Sequence, residues 1–213
     1  MSEVRRARGE QARVRMCRAK VAPMFGSSNY ASFHIAWFSA NNNVLCLNLG
    51  QDERCHGFVH VNPARALGAR IEPVSSYGGN QYGVHLLIHK DRETGHWWLE
   101  YGDDLKPVGY WPESLFTGLK NPASLLNWGG HVLSPSSEKS PPMGSGHFPH
   151  EGFGKAAFVR EVLIVDKGRH LVLPILENLD PMSSNYDCYR VDTLMYNGDG
   201  ITFYYGGPGG CKG

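Results

Sequence analysis

From Gln81 to Lys90 the chain alternates in character residue by residue, with Tyr82, Val84, Leu86 and Ile88 set between Gln81, Gly83, His85 and His89. Successive side chains of a strand point to opposite faces, so this run predicts a strand with one face turned to a core and a wetter face opposite. Asp91 to Gly95 has the residues of a turn, and His96 to Tyr101 (HWWLEY) reads as the returning strand of a hairpin. The same alternation separates Trp97 from Trp98, so one of the pair is expected on the solvent side or along a groove.

Shorter signals of the same kind recur through the chain. Ser32 to Phe38, Val44 to Leu49, Phe58 to Val61, Trp128 to Leu133, Ala156 to Val165, His170 to Leu173 and Ile201 to Tyr205 read as strands. Ser134 to Pro142 reads as a loop, and Met143 to Pro149 as a glycine-punctuated turn. Glu113 to Leu119, opened by Pro112, is the one place where a short helix is expected. With 26 Gly, 13 Pro and 11% aromatic residues, the composition favours short strands and turns. An all-β antiparallel sandwich or barrel follows.

The 213 residues, 41% of them hydrophobic, suffice for one globular domain, placed at residues 21–213. Residues 1–20 hold six Arg interspersed with Glu3 and Glu10, and read as a basic, solvated and disordered leader or a weak helix. They contain no apolar core of a secretory signal. A net charge of +1 offers no field to recruit nucleic acid or an anionic membrane, and no apolar run approaches the ~20 residues of a membrane-spanning helix.

Ten histidines raise the question of a metal. His56 with His60 and His85 with His89 are four apart, which on a strand is ~13 Å, too far to clamp one ion. No HExxH and no Cys-x-x-Cys occurs, so no metal or other cofactor is expected. There is no G-x-S-x-G for a serine nucleophile, and the glycines from Gly206 to Gly210 lack the Lys-Ser/Thr of a nucleotide phosphate loop. The five cysteines fit two local bridges with Cys17 left over, or five free thiols, and spacing leaves both open.

Several separate motifs carry a resemblance. They are Pro23…Gly26…Phe33…Trp37; Cys46-Leu47-Asn48-Leu49 with Cys55-His56-Gly57-Phe58-Val59; Ser76-Tyr77-Gly78-Gly79-Asn80-Gln81; and Asp91…Thr94-Gly95-His96-Trp97-Trp98-Leu99. Gly109-Tyr110-Trp111-Pro112 with Trp128-Gly129-Gly130, Met143-Gly144-Ser145-Gly146-His147-Phe148-Pro149…Glu151-Gly152-Phe153, and Cys188-Tyr189 with Tyr205-Gly206-Gly207-Pro208-Gly209…Cys211 complete the series. Together they resemble the carboxy-terminal catalytic domain of the plant neprosin family, secreted glutamic endopeptidases that cleave after proline. The resemblance implies a two-sheet β-sandwich with at most one or two short helices, bridges Cys46–Cys55 and Cys188–Cys211, and a secreted protein. Family precursors begin with a signal and a propeptide, which suggests that this chain is truncated or mis-started.

The family's two glutamates are where this chain departs. The first precedes a Gly-Trp dipeptide, and the matching stretch, Arg15 to Ala19, has neither that dipeptide nor an acid; the second follows Trp-Gly-Gly, where this chain has His131. Two carboxylates sharing a site divide the roles of base and acid because like charges push their pKa values apart. A lone histidine lacks that partner, and Glu100 and Glu72 are the acids considered for it. Whether the chain is an enzyme is therefore open. One reading is a family member with its catalytic pair broken, a pseudoenzyme; the alternative is a non-catalytic module holding extended peptide or cell-wall polymer in the same groove. Tyr77, Gln81, Trp98 and Trp128 are the groove candidates. The expected partner is an extended, proline-rich polypeptide, with no nucleic acid, membrane or nucleotide.

Overall fold

The computed structural model describes residues 2–5, 11–16, 31–39, 44–47, 57–116, 118–121, 123, 125–132 and 134–212. Among the described residues fifteen strands carry the fold: β1 (Ser2–Arg5), β2 (Gln11–Met16), β3 (Ala36–Ser39), β4 (Val44–Leu47), β5 (Val59–His60), β6 (Val84–Lys90), β7 (Trp97–Tyr101), β8 (Lys106–Trp111), β9 (Asn127–Gly130), β10 (Ala157–Val165), β11 (Leu171–Val172), β12 (Asp180–Ser183), β13 (Arg190–Val191), β14 (Met195–Tyr196) and β15 (Ile201–Gly206). A ten-stranded antiparallel sheet runs β13-β15-β10-β2-β6-β7-β8-β5, with β11 beside β10 and β14 beside β15. Opposite it stand a three-stranded sheet, β12-β1-β9, and the two-stranded hairpin β3-β4.

Shared side chains define the layers. Trp128 of β9 and Leu179 just before β12 join Val159, Val162, Ile201 and Phe203 in one buried cluster, so the three-stranded sheet covers the β10/β15 end of the large sheet. Trp37 of β3 and Cys46 of β4 join Trp97, Leu99, Val108 and Trp111 in a second, so the hairpin covers the β7/β8 end. Leu126 packs against both clusters. This is the expected all-β two-layer sandwich.

The expected helix is reduced to a single 3-10 turn at Glu113–Leu115. Phe116 returns to extended backbone (φ −120°, ψ 130°), and its ring and the Leu115 side chain pack against the β7/β8 cluster. Gly118, a weak helix former, follows close behind. The other helical turns among the described residues are also 3-10, at Pro149–Glu151 and Leu176–Asn178.

Sequence alternation set the sidedness of β6, and the structure qualifies its burial. Val84 and Leu86 are half-buried, Leu86 against the β7/β8 cluster, but Tyr82 and Ile88 are 40% and 39% exposed. The strand begins at Val84, and among the described residues the β3-β4 hairpin leaves both ends of its inner face partly exposed. Residues 1–20, expected as a solvated leader, contribute β1 and β2, and β2 pairs with β6 on one side and β10 on the other. Ala12, Val14 and Met16 alternate with Arg13 and Arg15, a period of two that the density of charge obscures.

Two local features hold the β10/β15 end. Cys188 and Cys211 form a disulfide with Cα atoms 6.0 Å apart, as the resemblance implied. Cys46 is also disulfide-bonded, and its expected partner, Cys55, lies outside the described residues. In β10, a bulge places Glu161 in the left-handed region (φ 57°). The neighbouring chain fits because residue 200 is Gly: a Cβ there would stand 2.7 Å from the Glu161 Cα.

Candidate binding cleft

A cleft of about 380 Å³ opens on the inner face of β6, where Tyr82, Val84 and Leu86 line it with Tyr101 of β7 and Tyr205 of β15. Its opposite wall is Ala31 to His34, paired antiparallel with the segment that reaches Ile71: Ile71 N donates to Ala31 O at 2.8 Å and Phe33 N to Ala69 O at 3.2 Å. The stretch from Ile71 to Ser75 closes one side. Buried Ser75 pins that stretch to the strand, its hydroxyl accepting from Tyr82 N at 2.8 Å and lying 3.1 Å from Tyr82 O. A largely apolar hollow of this size with a few polar groups is the usual form of a binding site.

Those polar groups are specific. Ser32, buried, places its Oγ 2.7 Å from His34 Nε2. The Tyr101 ring packs on Phe33 with centroids 4.7 Å apart and lies beneath the Arg65 guanidinium at 5.3 Å. Burial raises the Tyr101 phenol above its ordinary value and outweighs the opposing pull of Arg65, so it stays a neutral hydrogen-bond donor. Glu72 is the one carboxylate among the described residues lining the cleft, and it pairs with Arg70 at 2.7 Å.

Of the two positions that the neprosin resemblance marks, the first lies partly outside the described residues and the second, His131, is not among the residues that line the cleft. Arg15 and Met16 end β2 opposite His85 and Val84, and Val84 lines the cleft. His131 directly follows Gly130, where a Cβ would come 2.6 Å from Met143 Sδ and 2.7 Å from the ring of Tyr205, itself a cleft residue. His131 is exposed. Neither acid considered for it is idle: Glu72 holds Arg70, and Glu100 accepts from His89 at 3.1 Å on the outer face of the large sheet.

The groove candidates do not gather in one place. Trp128, 5% exposed, is core between β9 and the β10/β15 end. Trp98 is half-buried on the face opposite buried Trp97, its ring 4.7 Å from that of Tyr110, which stacks on His96 at 4.8 Å. Tyr77 and Gln81 belong to a clasp beside the cleft. Tyr77 donates to Glu151 Oε2 at 3.0 Å, His147 Nδ1 lies 2.9 Å from Glu151 Oε1, and the Tyr77 and His147 rings are 4.4 Å apart. Gln81 Nε2 donates to Ser76 O at 2.7 Å and Gly154 O at 3.3 Å. Desolvation pushes the Glu151 carboxyl up, but the hydrogen bonds from Tyr77 and His147 together hold it below the usual range. The clasp thus joins two of the sequence motifs, SYGGNQ and GSGHFPHEGF, into one structural joint.

One cluster had no sequence signal. His85 Nδ1 stands 2.8 Å from Asp103 Oδ1 and its Nε2 3.1 Å from Glu161 Oε2, while Arg160 grips Glu161 Oε1 at 2.9 and 2.7 Å. Desolvation raises the Glu161 carboxyl, and the bonds from His85 and Arg160 outweigh it, leaving it lowered. Residues 15, 85 and 160 are directly opposite one another across β2, so the cluster lies where three strands meet.

In the comparison with known families, the Neprosin model matches residues 9–208 of this chain. That span covers nearly all of the described structure and takes in β2, and the chain belongs to the Neprosin family.

Proposed function

We propose that this protein is a relative of the glutamic endopeptidases that cleave after proline, secreted, with its catalytic pair broken, and that it holds extended, proline-containing polypeptide in the cleft without hydrolysing it by the two-carboxylate route. The observation that supports this reading most is the cleft's acid complement: Glu72 is its one carboxylate among the described residues and is engaged by Arg70, while the residue that follows Trp128-Gly129-Gly130 in the sequence is His131. Activating a water and protonating a leaving amine takes two groups with separated pKa values, and each such group typically contributes about 10²–10⁴-fold. Secretion is supported by the Cys188–Cys211 bridge and by the bonded state of Cys46, since disulfides persist in oxidising compartments.

Cleavage of a fluorogenic proline-containing peptide at acidic pH, with calorimetric binding of the same peptide, tests the reading. The unmodified chain and His131→Glu are expected to bind without cleaving, because restoring one carboxylate leaves the other absent. Cleavage after proline by the unmodified chain, abolished by His131→Ala, would make the imidazole a working substitute and overturn the proposal. Binding of a cell-wall polysaccharide in place of the peptide would favour the polymer-holding alternative.

A further inference from the structure

A smaller hollow, of about 150 Å³, adjoins the cleft and shares three of its wall residues, Phe33, Ile71 and Tyr101. We propose that it is a carboxylate-binding subsite with Arg65 and Arg70 as donors, so that the polypeptide held in the cleft presents a carboxylate there, from an acidic side chain or from its chain end. The subsite rests on the polypeptide-holding reading and adds the chemistry of the ligand to it. Both arginines line the hollow, and their side chains are 38% and 61% exposed, so an incoming group can reach them.

The fold fixes both at the cleft wall. Arg70 stands opposite Ser32 in the antiparallel pairing that builds that wall. Arg65 is anchored through its own backbone: its N donates to Asn62 O at 3.0 Å, and its O lies 3.0 Å from His60 Nε2. Its guanidinium sits over the Tyr101 ring, which belongs to both hollows, at 5.3 Å. Gly102 keeps the space beside it clear, since a Cβ there would stand 3.3 Å from a terminal nitrogen of Arg65. A guanidinium carries its N–H donors in one rigid fork, and an aromatic face beneath it restrains that fork in a geometry that grips a carboxylate through two bonds.

Local charge sets the sign of the ligand. Glu72 is the one carboxylate among the described residues lining either hollow, against the two guanidiniums. It meets Arg70 at 2.7 Å. Asp104, outside both linings, reaches Arg65 only at 3.6 Å and lies closer to Lys106, at 3.0 Å. An exposed pair of that length contributes little, so a ligand carboxylate that engages the fork through both oxygens displaces Asp104 at small cost.

The test uses a neutral peptide of proline and glutamine with both ends blocked, a set in which each Gln in turn becomes Glu, and the parent with a free carboxy terminus. Calorimetry at low ionic strength should find one carboxylate-bearing peptide bound about fivefold more tightly than the parent, a gain that fades at about 0.5 M salt. A gain at a Glu position assigns the carboxylate to a side chain, and a gain confined to the free terminus assigns it to the chain end. Arg65→Gln should abolish the gain, and Asp104→Asn, which removes the competing carboxylate, should enlarge it. No gain from either kind of carboxylate, a gain that survives Arg65→Gln, or no enlargement in Asp104→Asn would overturn the subsite. An Arg65→Gln chain that failed to fold would leave the Asp104→Asn comparison to decide. If no peptide of the set binds, the polypeptide-holding reading falls and acetate decides the subsite alone. Titrated into ¹⁵N-labelled protein, acetate should shift the Arg65 Nε–H resonance and leave that of Arg190, which donates to Tyr186 O, in place; an unshifted Arg65 resonance would overturn the subsite.

Discussion

The two ends of the large sheet are covered very differently. At the β10/β15 end a three-stranded sheet lies over it, Val159, Val162 and Phe203 are sealed to 1% exposure or less, and a disulfide ties the last loop down. At the β7/β8 end the covering strands among the described residues are the two of the β3-β4 hairpin, and a 580 Å³ hollow lies there with a 380 Å³ cleft toward the middle. Among the described residues the β10/β15 end seals its core side chains and keeps a surface hollow of about 420 Å³ beside Leu176, Pro181 and Leu194, whereas the β7/β8 end forgoes burial at Ile88, Leu119 and Leu125 and keeps apolar surface available.

The sharpest way to break this comparison is to truncate one side chain at each end. Phe203→Ala should cost about 3–5 kcal/mol in urea unfolding, the range for a sealed aromatic, whereas Ile88→Ala at the open rim should cost no more than about 1 kcal/mol. Similar losses would mean that the hollow is better packed than its exposure indicates. Next in size is the bridge. Cys188 and Cys211 are separated by 23 residues, and the double alanine substitution should cost about 2–4 kcal/mol by the same measurement. A loss below about 1 kcal/mol would show that the covered end is held by packing alone.

The smallest expected effect concerns the junction of the two ends, where Glu161 of β10 meets His85 of β6. The Glu161 carboxyl is lowered in the folded protein, so its contribution is present above the unfolded glutamate value of about 4.3 and is lost as pH falls through the lower folded value. Glu161→Gln should therefore cost on the order of 1 kcal/mol at neutral pH, and the difference from the unmodified protein should shrink below about pH 4. A pH-independent difference would assign the loss to the bulge and not to the charge.

How much of this the sequence discloses depends on what the residues had to say locally. The β6-β7 hairpin was legible because a half-covered strand must alternate, and the separation of Trp97 from Trp98 followed from the same rule. Strands β12, β13 and β14 were not: they are two to four residues long, and β12 contains Pro181. His131 stood out only against a motif. The cleft was illegible because its polar groups, Ser32, His34 and Ser75, come from separate segments and match no chemical signature, and only the pairing of Ala31–Phe33 with Ala69–Ile71 brings its wall together. Trp128, a groove candidate, is 5% exposed in the core; no local pattern reveals that β9 of the three-stranded sheet turns this side chain toward the large sheet.

The position of β2 has a consequence of a different kind. It is the sole strand joining β10 to β6 in the order of the large sheet, with Met16 opposite Val159 on one side and Val84 on the other. Removing residues 11–16 would leave two half-sheets, each with a newly bared row of backbone donors and acceptors. Such raw edges pair readily with other chains, so a form trimmed of this arginine-rich stretch should aggregate as strands seek neighbours. The arginines would then matter in a further sense, as charges that keep the segment itself from pairing indiscriminately before it is inserted.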